Sequence, residues 1–469
     1  MSRSGDAKAE VMWFRRDLRV ADHPALAAAV AGAADLGRPV VPLFVADDRI
    51  LAGAGANRRA FLAGSLAELD RSLEGSLVLR RGRPEEVVPA FAAEVGATTV
   101  FATGDCTPYG RRRDARVRSP LEAAGRGLAL VGSPYAVSPG RVVGRSGAPY
   151  QVFTAFARAW AAHGWPPPVP AATVGRWTTR PSDSTPAEVV SGLPGPRTGL
   201  VSPHLPEPGE GAARRALERF VGGPLAAYGA QRDQPAVEGT SRLSPYLRFG
   251  SLHPRQVLDL LPDTPGTATF RSELAWREFY ADVLWHHPRS AWESLNATGA
   301  MLRWDEGPEA DERFRRWTEG TTGFPLVDAG MRQLASEGWM HNRVRMVAAS
   351  FLVKDLHLDW RRGARWFLDR LVDGDVASNN HGWQWVAGTG TDAAPFHRIF
   401  NPTVQRERFD PDGAYVGRYV PEAGSSAYPD PMVDHGAERL EALSRWTDAK
   451  LAAGEAGLGP AVPPRPGCR

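Results

Sequence analysis

Short apolar runs alternate with helix-spaced apolar residues through the first third of the chain. Residues 11–14, 39–46, 77–79, 98–102 and 128–131 read as strands. Between them, residues 24–36, 58–73 and 84–95 carry apolar side chains at helical spacing. Asn57 is placed as an N-cap, and Gly37, Gly75 and Gly96 as helix stops. This alternation predicts an α/β domain with a doubly wound parallel sheet over residues 8–135. Eleven prolines then fall between residues 166 and 208, so residues 136–210 are expected to form a long Pro-rich linker over the surface between domains. Beyond residue 210 the strand signals stop. Helical patterns punctuated by Gly and Pro continue to Lys450, which predicts an all-α domain over 211–450. Residues 451–469, rich in Gly, Ala and Pro, read as a disordered tail.

Composition changes this picture in three places. The two cysteines, Cys106 and Cys468, give no disulfide framework and are too few for an all-Cys iron–sulfur or zinc site. With no apolar run approaching the ~18 residues of a membrane span and a polar start, the expected location is the cytoplasm. Nothing implies a protein partner, and a monomer is expected. A net charge of +3 permits nucleic-acid binding without establishing it. The only lysines, Lys8, Lys354 and Lys450, do not follow a glycine, which excludes a Walker A loop. No complete G-x-G-x-x-G follows the first strand, which argues against an ordinary nicotinamide site. Tryptophan is in excess: 15 in all, 11 of them beyond residue 270.

Four stretches carry chemistry. Gly239-Thr240-Ser241-Arg242-Leu243-Ser244 is dense in hydroxyls before a helix, where either plain capping or phosphate binding is served. In Glu273-Leu274-Ala275-Trp276-Arg277, Glu273 and Arg277 are spaced for a surface ion pair. Alternatively, Glu273 and Trp276 form one face of a pocket that holds a flipped base. Polar side chains interrupt a core-like helix at Trp339-Met340-His341-Asn342-Arg343-Val344-Arg345-Met346, serving either its wet face or a ligand. Asp373-Gly374-Asp375 fits a turn, a helix cap or a magnesium pair.

Taken together, the order and spacing of these blocks resemble the DNA photolyase and cryptochrome family, and within it the class I cyclobutane pyrimidine dimer photolyases. The opening Trp13-Phe14-Arg15-Arg16-Asp17-Leu18-Arg19, followed by Asp22-His23-Pro24-Ala25-Leu26, is similar to the family's N-terminal signature. The four stretches above are similar to its flavin-domain blocks, and the resemblance spans about residues 11–450.

The resemblance implies an FAD held beneath a cavity of the helical domain. Tyr228, Thr240, Ser241, Leu243 and Ser244 would hold its ribityl and phosphate part, Arg277 would contribute, and Arg345 and Asp373 would pair beside the ring. Asp375 would also face the flavin, and Asn379 its N5. Glu273, Trp276, Asn342, Met346 and Trp385 would line the lesion pocket, with Arg232, Arg277, Arg343, Arg398 and Gln405 around its mouth against the phosphates of UV-damaged DNA. Glu273, Asn342 and Asn379 are the implied catalytic residues, and Trp304, Trp360 and Trp383 an implied electron-transfer row. The implied chemistry is a light-driven electron from reduced FAD that opens the dimer and then returns, with no metal. Gly104-Asp105-Cys106-Thr107-Pro108-Tyr109-Gly110-Arg111 resembles members with a deazaflavin antenna, rather than those with a methenyltetrahydrofolate. Asn379 resembles repair enzymes, whereas many cryptochromes, the alternative signalling members, carry Asp or Cys there. A flavin oxidoreductase of small substrates explains neither the Arg-lined mouth nor the tryptophans. Two departures stand out: Phe270 replaces a Trp found in some members, and the stretch 304–317 is a few residues longer than in some.

Overall fold

The computed structural model describes residues 8–172, 177–190, 201–393, 395–396 and 398–456. Five strands, β1 (Glu10–Phe14), β2 (Val40–Ala46), β3 (Val78–Arg81), β4 (Thr99–Ala102) and β5 (Gly127–Leu130), form one parallel sheet in the order β3-β2-β1-β4-β5. Parallel strands need crossovers, and helices Pro24–Asp35, Ala56–Ser72, Pro84–Glu94 and Pro108–Ala123 supply them. Alternation along β1 sends its side chains into two cores. Val11 and Trp13 pack with Val41, Phe91 and Leu121, whereas Met12 and Phe14 face the core shared with the helical half. Gly37, Gly75 and Gly96 do end helices, each with positive φ (60°, 75° and 61°).

From Glu210 to Glu455 the described chain is helical apart from connections. A second core forms there around Trp317, Phe351, Trp360, Phe367 and Trp383. Asn57 does not cap its helix. Gly55 is the N-cap, and the Asn57 side chain is buried, donating to Ser202 Oγ (2.9 Å) and Arg370 O (2.5 Å). A buried amide with tertiary partners outweighs the local signal. The span 136–210 is not irregular throughout, since it contains the helix Phe153–His163, whose Phe153, Phe156 and Trp160 are buried. The last helix, His435–Glu455, runs through residues 451–455, and Ala449 and Ala453 are its buried face. Residues 457–469 of the expected tail, with Cys468, lie outside the described residues.

The two halves are joined by charge as well as by apolar packing. Arg16, just past β1, donates to Asp375 at 2.7 Å. The Glu278 carboxylate accepts from Ala136 N (2.5 Å), Val137 N (3.0 Å) and Trp160 Nε1 (2.6 Å), and burial pushes its pKa up to about 7. Gly250 has φ +70°, and a Cβ there would lie 2.0 Å from Arg16 O, so only glycine lets the backbones approach. No helix among the described residues is long and apolar enough to cross a membrane.

Candidate active site

Three elements meet at Asp373. Its Oδ2 accepts from Arg345 Nη2 (2.8 Å), on the helix Asn342–Ser350, and from Ser244 Oγ (2.7 Å), which opens the helix Ser244–Phe249. Arg345 also donates from Nε to Met340 O at 2.8 Å, which fixes its plane. Asp373 Oδ1 is buried and has no partner among the described residues. Orphaning a carboxylate oxygen is costly, so this atom marks a place for a donor from a ligand.

The loop before Ser244 is held firmly. Arg242, with φ 48°, pairs with Glu337 (2.8 Å) and lies 4.3 Å over the Trp339 ring. Ser241 Oγ accepts from Leu243 N (3.4 Å), Leu243 is buried, and Thr240 is half-buried. Tyr228 sits edge-on to Phe220 (5.6 Å) and to Phe270 (5.3 Å), so Phe270 supplies an aromatic wall at the position where it departs from some relatives. Asn379, on the helix Val376–Ala387, donates from its amide to Ala364 O (3.0 Å) and Asn380 Oδ1 (2.8 Å), and its own oxygen is left for another partner.

Asp375 is the N-cap of that helix and accepts from Ser378 N (3.2 Å). Its other oxygen takes Arg16, with Arg248 3.9 Å away. Burial opposes its ionisation, but Arg16, Arg248 and Arg277 together hold it well below the usual carboxylate range. Asp375 thus caps the helix through one oxygen and ties it to Arg16 through the other. The Asp373/Asp375 pair is therefore an ion-pair acceptor plus a helix cap. Arg277 donates to Pro134 O (3.3 Å) and Leu247 O (3.2 Å), and its guanidinium lies 4.5 Å over the Tyr135 ring, so it braces the domain seam. No i, i+4 pair forms with Glu273, because Glu273 is drawn to Arg232.

A second group lies around Arg343, which leaves the helix Asn342–Ser350 on the side away from Arg345. Glu273, on the helix Pro265–His286, accepts from Arg232 Nη1 at 2.6 Å, and burial raises its pKa even with that cation present. Arg343 is gripped by Asp233 and lies 4.5 Å over the Phe409 ring. Asn342 is exposed, and Met346, one turn on, is half-buried. Trp276 stacks on Phe153 at 3.6 Å and 9°, and Trp385 is half-buried. Gln405 lies on the helix Pro402–Phe409 with a buried Oε1 that has no partner among the described residues. Arg398 is exposed, and its carbonyl is held by Lys354 Nζ at 3.0 Å. Glu273, Arg232, Asp233 and Arg343 form one charged chain, while Arg398 and Gln405 lie on the following loop and helix.

Comparison with known proteins decides what this arrangement is. The family described as DNA photolyase matches residues 10–173, and the FAD binding domain of DNA photolyase matches 270–426. The chain is 39% identical to the deoxyribodipyrimidine photo-lyase of Halobacterium salinarum, covering 94% of this chain and 99% of that one. It is 42% identical to that of Streptomyces griseus, with coverage of 94% and 98%. The chain belongs to the DNA photolyase family. The crystal structure of a class III photolyase from Agrobacterium tumefaciens superposes with a TM-score of 0.85 at 36% identity, covering 96% of this chain and 99% of that one.

Trp383, Trp360 and Trp304 all lie in or against the second core. Trp383 is buried, edge-on to Phe367 (5.0 Å, 76°) and Trp317 (6.1 Å, 71°). Trp360 is buried at the start of the helix Trp360–Arg370, and a Cβ on Gly363 of that helix would lie 2.1 Å from Trp383 Cη2. Trp304 is half-buried between two cores. Trp317 was absent from the sequence-based set. It follows Arg313-Phe314-Arg315-Arg316 three residues after Phe314, on which it stacks at 5.7 Å, and that aromatic pair in a charged helix is the local signal for it.

The signature at the N-terminus is mostly structural. Arg15 pairs with Asp114 (2.5 Å), Arg19 donates to Gly250 O (3.0 Å), and Asp22 accepts from Arg255 (2.7 Å). At the point where the strand order reverses, Arg15, Arg16, Thr103, Gly104, Asp105 and Pro134 line a small, partly open pocket. Such a switch point is where doubly wound sheets place ligands.

Proposed function

We propose that this photolyase opens cyclobutane pyrimidine dimers flipped out of DNA. One observation carries the reading: a single helix, Asn342–Ser350, gives Arg345 to the Asp373 cradle and Arg343 to the charged chain of Asp233, Arg232 and Glu273. Two residues apart on a helix, these two side chains leave it about 200° apart, so one helix separates the cradle from the charged chain. The residues fit FAD. Asp373 Oδ1 awaits a donor, Arg345 supplies a fixed cation, and Tyr228, Thr240, Ser241 and Leu243 border the Ser244 helix start. When bound and reduced, the flavin supplies a light-driven electron to the dimer. Glu273 binds the base edge, Arg232 keeps it oriented, and Trp276 and Trp385 exclude water. Asn379 offers its free carbonyl oxygen towards the cofactor.

The pocket suits the cyclobutane dimer rather than the (6-4) photoproduct, whose enzymes resemble one another in a His pair. Asn342 and Met346 stand at those positions, and Asn cannot act as a general acid near neutral pH. His341 does not substitute. It is buried as the N-cap, accepts from Arg343 N (3.2 Å), and burial holds its pKa down at about 4. Reduced protein is illuminated with matched oligonucleotides carrying either lesion. Restoration of the cyclobutane substrate alone is expected, and restoration of the (6-4) substrate alone would reverse the assignment.

Trp383, Trp360 and Trp304 are proposed to relay electrons inward from the surface. Trp383→Phe should slow flavin photoreduction under an external reductant at least tenfold, while already reduced protein keeps its repair activity. Photoreduction at the wild-type rate would refute the relay. For the antenna we favour a deazaflavin over methenyltetrahydrofolate, supported by the likeness of residues 104–111 to members with a deazaflavin. Binding of the folate and not the deazaflavin would overturn that choice.

A further inference from the structure

Arg232 and Asp233 are consecutive, yet they reach different walls of the mouth. Arg232 closes on Glu273 at 2.6 Å. Asp233 takes Arg343 side-on, with Nη2 to Oδ2 at 2.9 Å and Nε to Oδ1 at 3.3 Å. The result is a chain of alternating charge, Glu273–Arg232–Asp233–Arg343, across three elements. Two cations suited to phosphate are each neutralised by a carboxylate.

The two carboxylates are not equivalent. Glu273 gains a new partner when a base enters the pocket. Asp233 gains none from the base itself, and any phosphate arriving at Arg343 brings a second negative charge beside it. Arg343 is only 18% exposed, stacked on Phe409, and the Nε–Nη2 edge of its fork is taken by Asp233. A passing duplex therefore meets an arginine that acts as a neutral pair. It would exchange one anion for another and face repulsion from the displaced carboxylate. A base seated in the pocket takes Glu273 and so frees Arg232, already 4.0 Å from Asp233, to hold that carboxylate, and only then is Arg343 released at little cost.

We propose that Asp233 is a specificity-determining residue, which masks Arg343 from undamaged DNA and yields it to a strand anchored by a flipped lesion. This rests on the reading of the rim as the lesion-binding face. Asp233 acts through Arg343 and is a positioning residue, so the test reads discrimination and salt dependence rather than activity.

Matched duplexes with and without one cyclobutane dimer are titrated in the dark, over a range of salt. The proteins are the flavin-loaded wild type, Asp233→Asn, Arg343→Met and the double variant, with the flavin spectrum verifying that each is folded. Asp233→Asn should bind undamaged duplex roughly five- to tenfold more tightly, with its salt slope steeper by about one, since one more cation now displaces counterions. Its affinity for the lesion should change less than about twofold, so the preference for damage falls. In the Arg343→Met background, the same substitution should leave the preference unchanged. If wild type and Asp233→Asn prefer the lesion equally, with equal slopes, the inference fails. It fails also if the gain persists without Arg343, which would show a general charge effect. A wild type with no preference for the lesion would instead sink the repair reading, and the inference with it.

Discussion

Purified Asp373→Asn should be nearly colourless. The substitution keeps the size of the side chain but removes the charge that Arg345 and Ser244 share at 2.8 and 2.7 Å. Arg345 would then be a half-buried cation without a carboxylate, beside a cofactor it is meant to hold. Breaking such a pair costs about 3–5 kcal/mol, so flavin affinity should fall more than about a hundredfold. The ratio of flavin to protein absorbance after purification, followed by titration with added FAD, measures this. Ser244→Ala removes one hydrogen bond and should weaken binding only modestly, by about 1 kcal/mol. Retention of a full complement of flavin by Asp373→Asn would show that the cradle lies elsewhere.

The second large effect is expected at Glu273. In Glu273→Ala the base edge loses a charge-assisted acceptor worth about 1.5–3 kcal/mol, and Arg232 loses its partner. Affinity for a dimer-containing oligonucleotide should therefore drop roughly 10- to 150-fold. Repair at a fixed, subsaturating lesion concentration should fall in step. Affinity for undamaged DNA should hold or rise, because Arg232 is released to phosphate. Equal losses on damaged and undamaged DNA would mean that Glu273 only shapes the rim.

The sheet was legible in the chain because a parallel sheet buried on both faces leaves compact apolar runs, and its crossovers leave helical spacing between them. The cradle was legible as blocks. Ser244, Arg345 and Asp373 meet as the resemblance implied. What stayed hidden were partners far apart along the chain. Nothing local shows that Arg16 will meet Asp375, 359 residues away. The Arg277 contacts stayed hidden for the same reason, since its partners are two backbone carbonyls, and carbonyls leave no trace in a side-chain pattern. Asn57 followed a local capping rule that buried amide partners override.

The Arg16–Asp375 contact bears on how such a chain can be rebuilt. Arg16, Arg248 and Asp375 are two cations sharing one anion at the seam, and burial with the neighbouring Arg16 pushes Arg248 down to about 9. Deleting the first 135 residues would remove Arg16 and leave Asp375 with the weaker of its two partners, at the start of the helix that carries Asn379 and Trp383. The sheet domain is therefore not a detachable accessory. Grafting the sheet of another photolyase onto these helices would require an arginine at position 16 and a glycine at 250 to travel together.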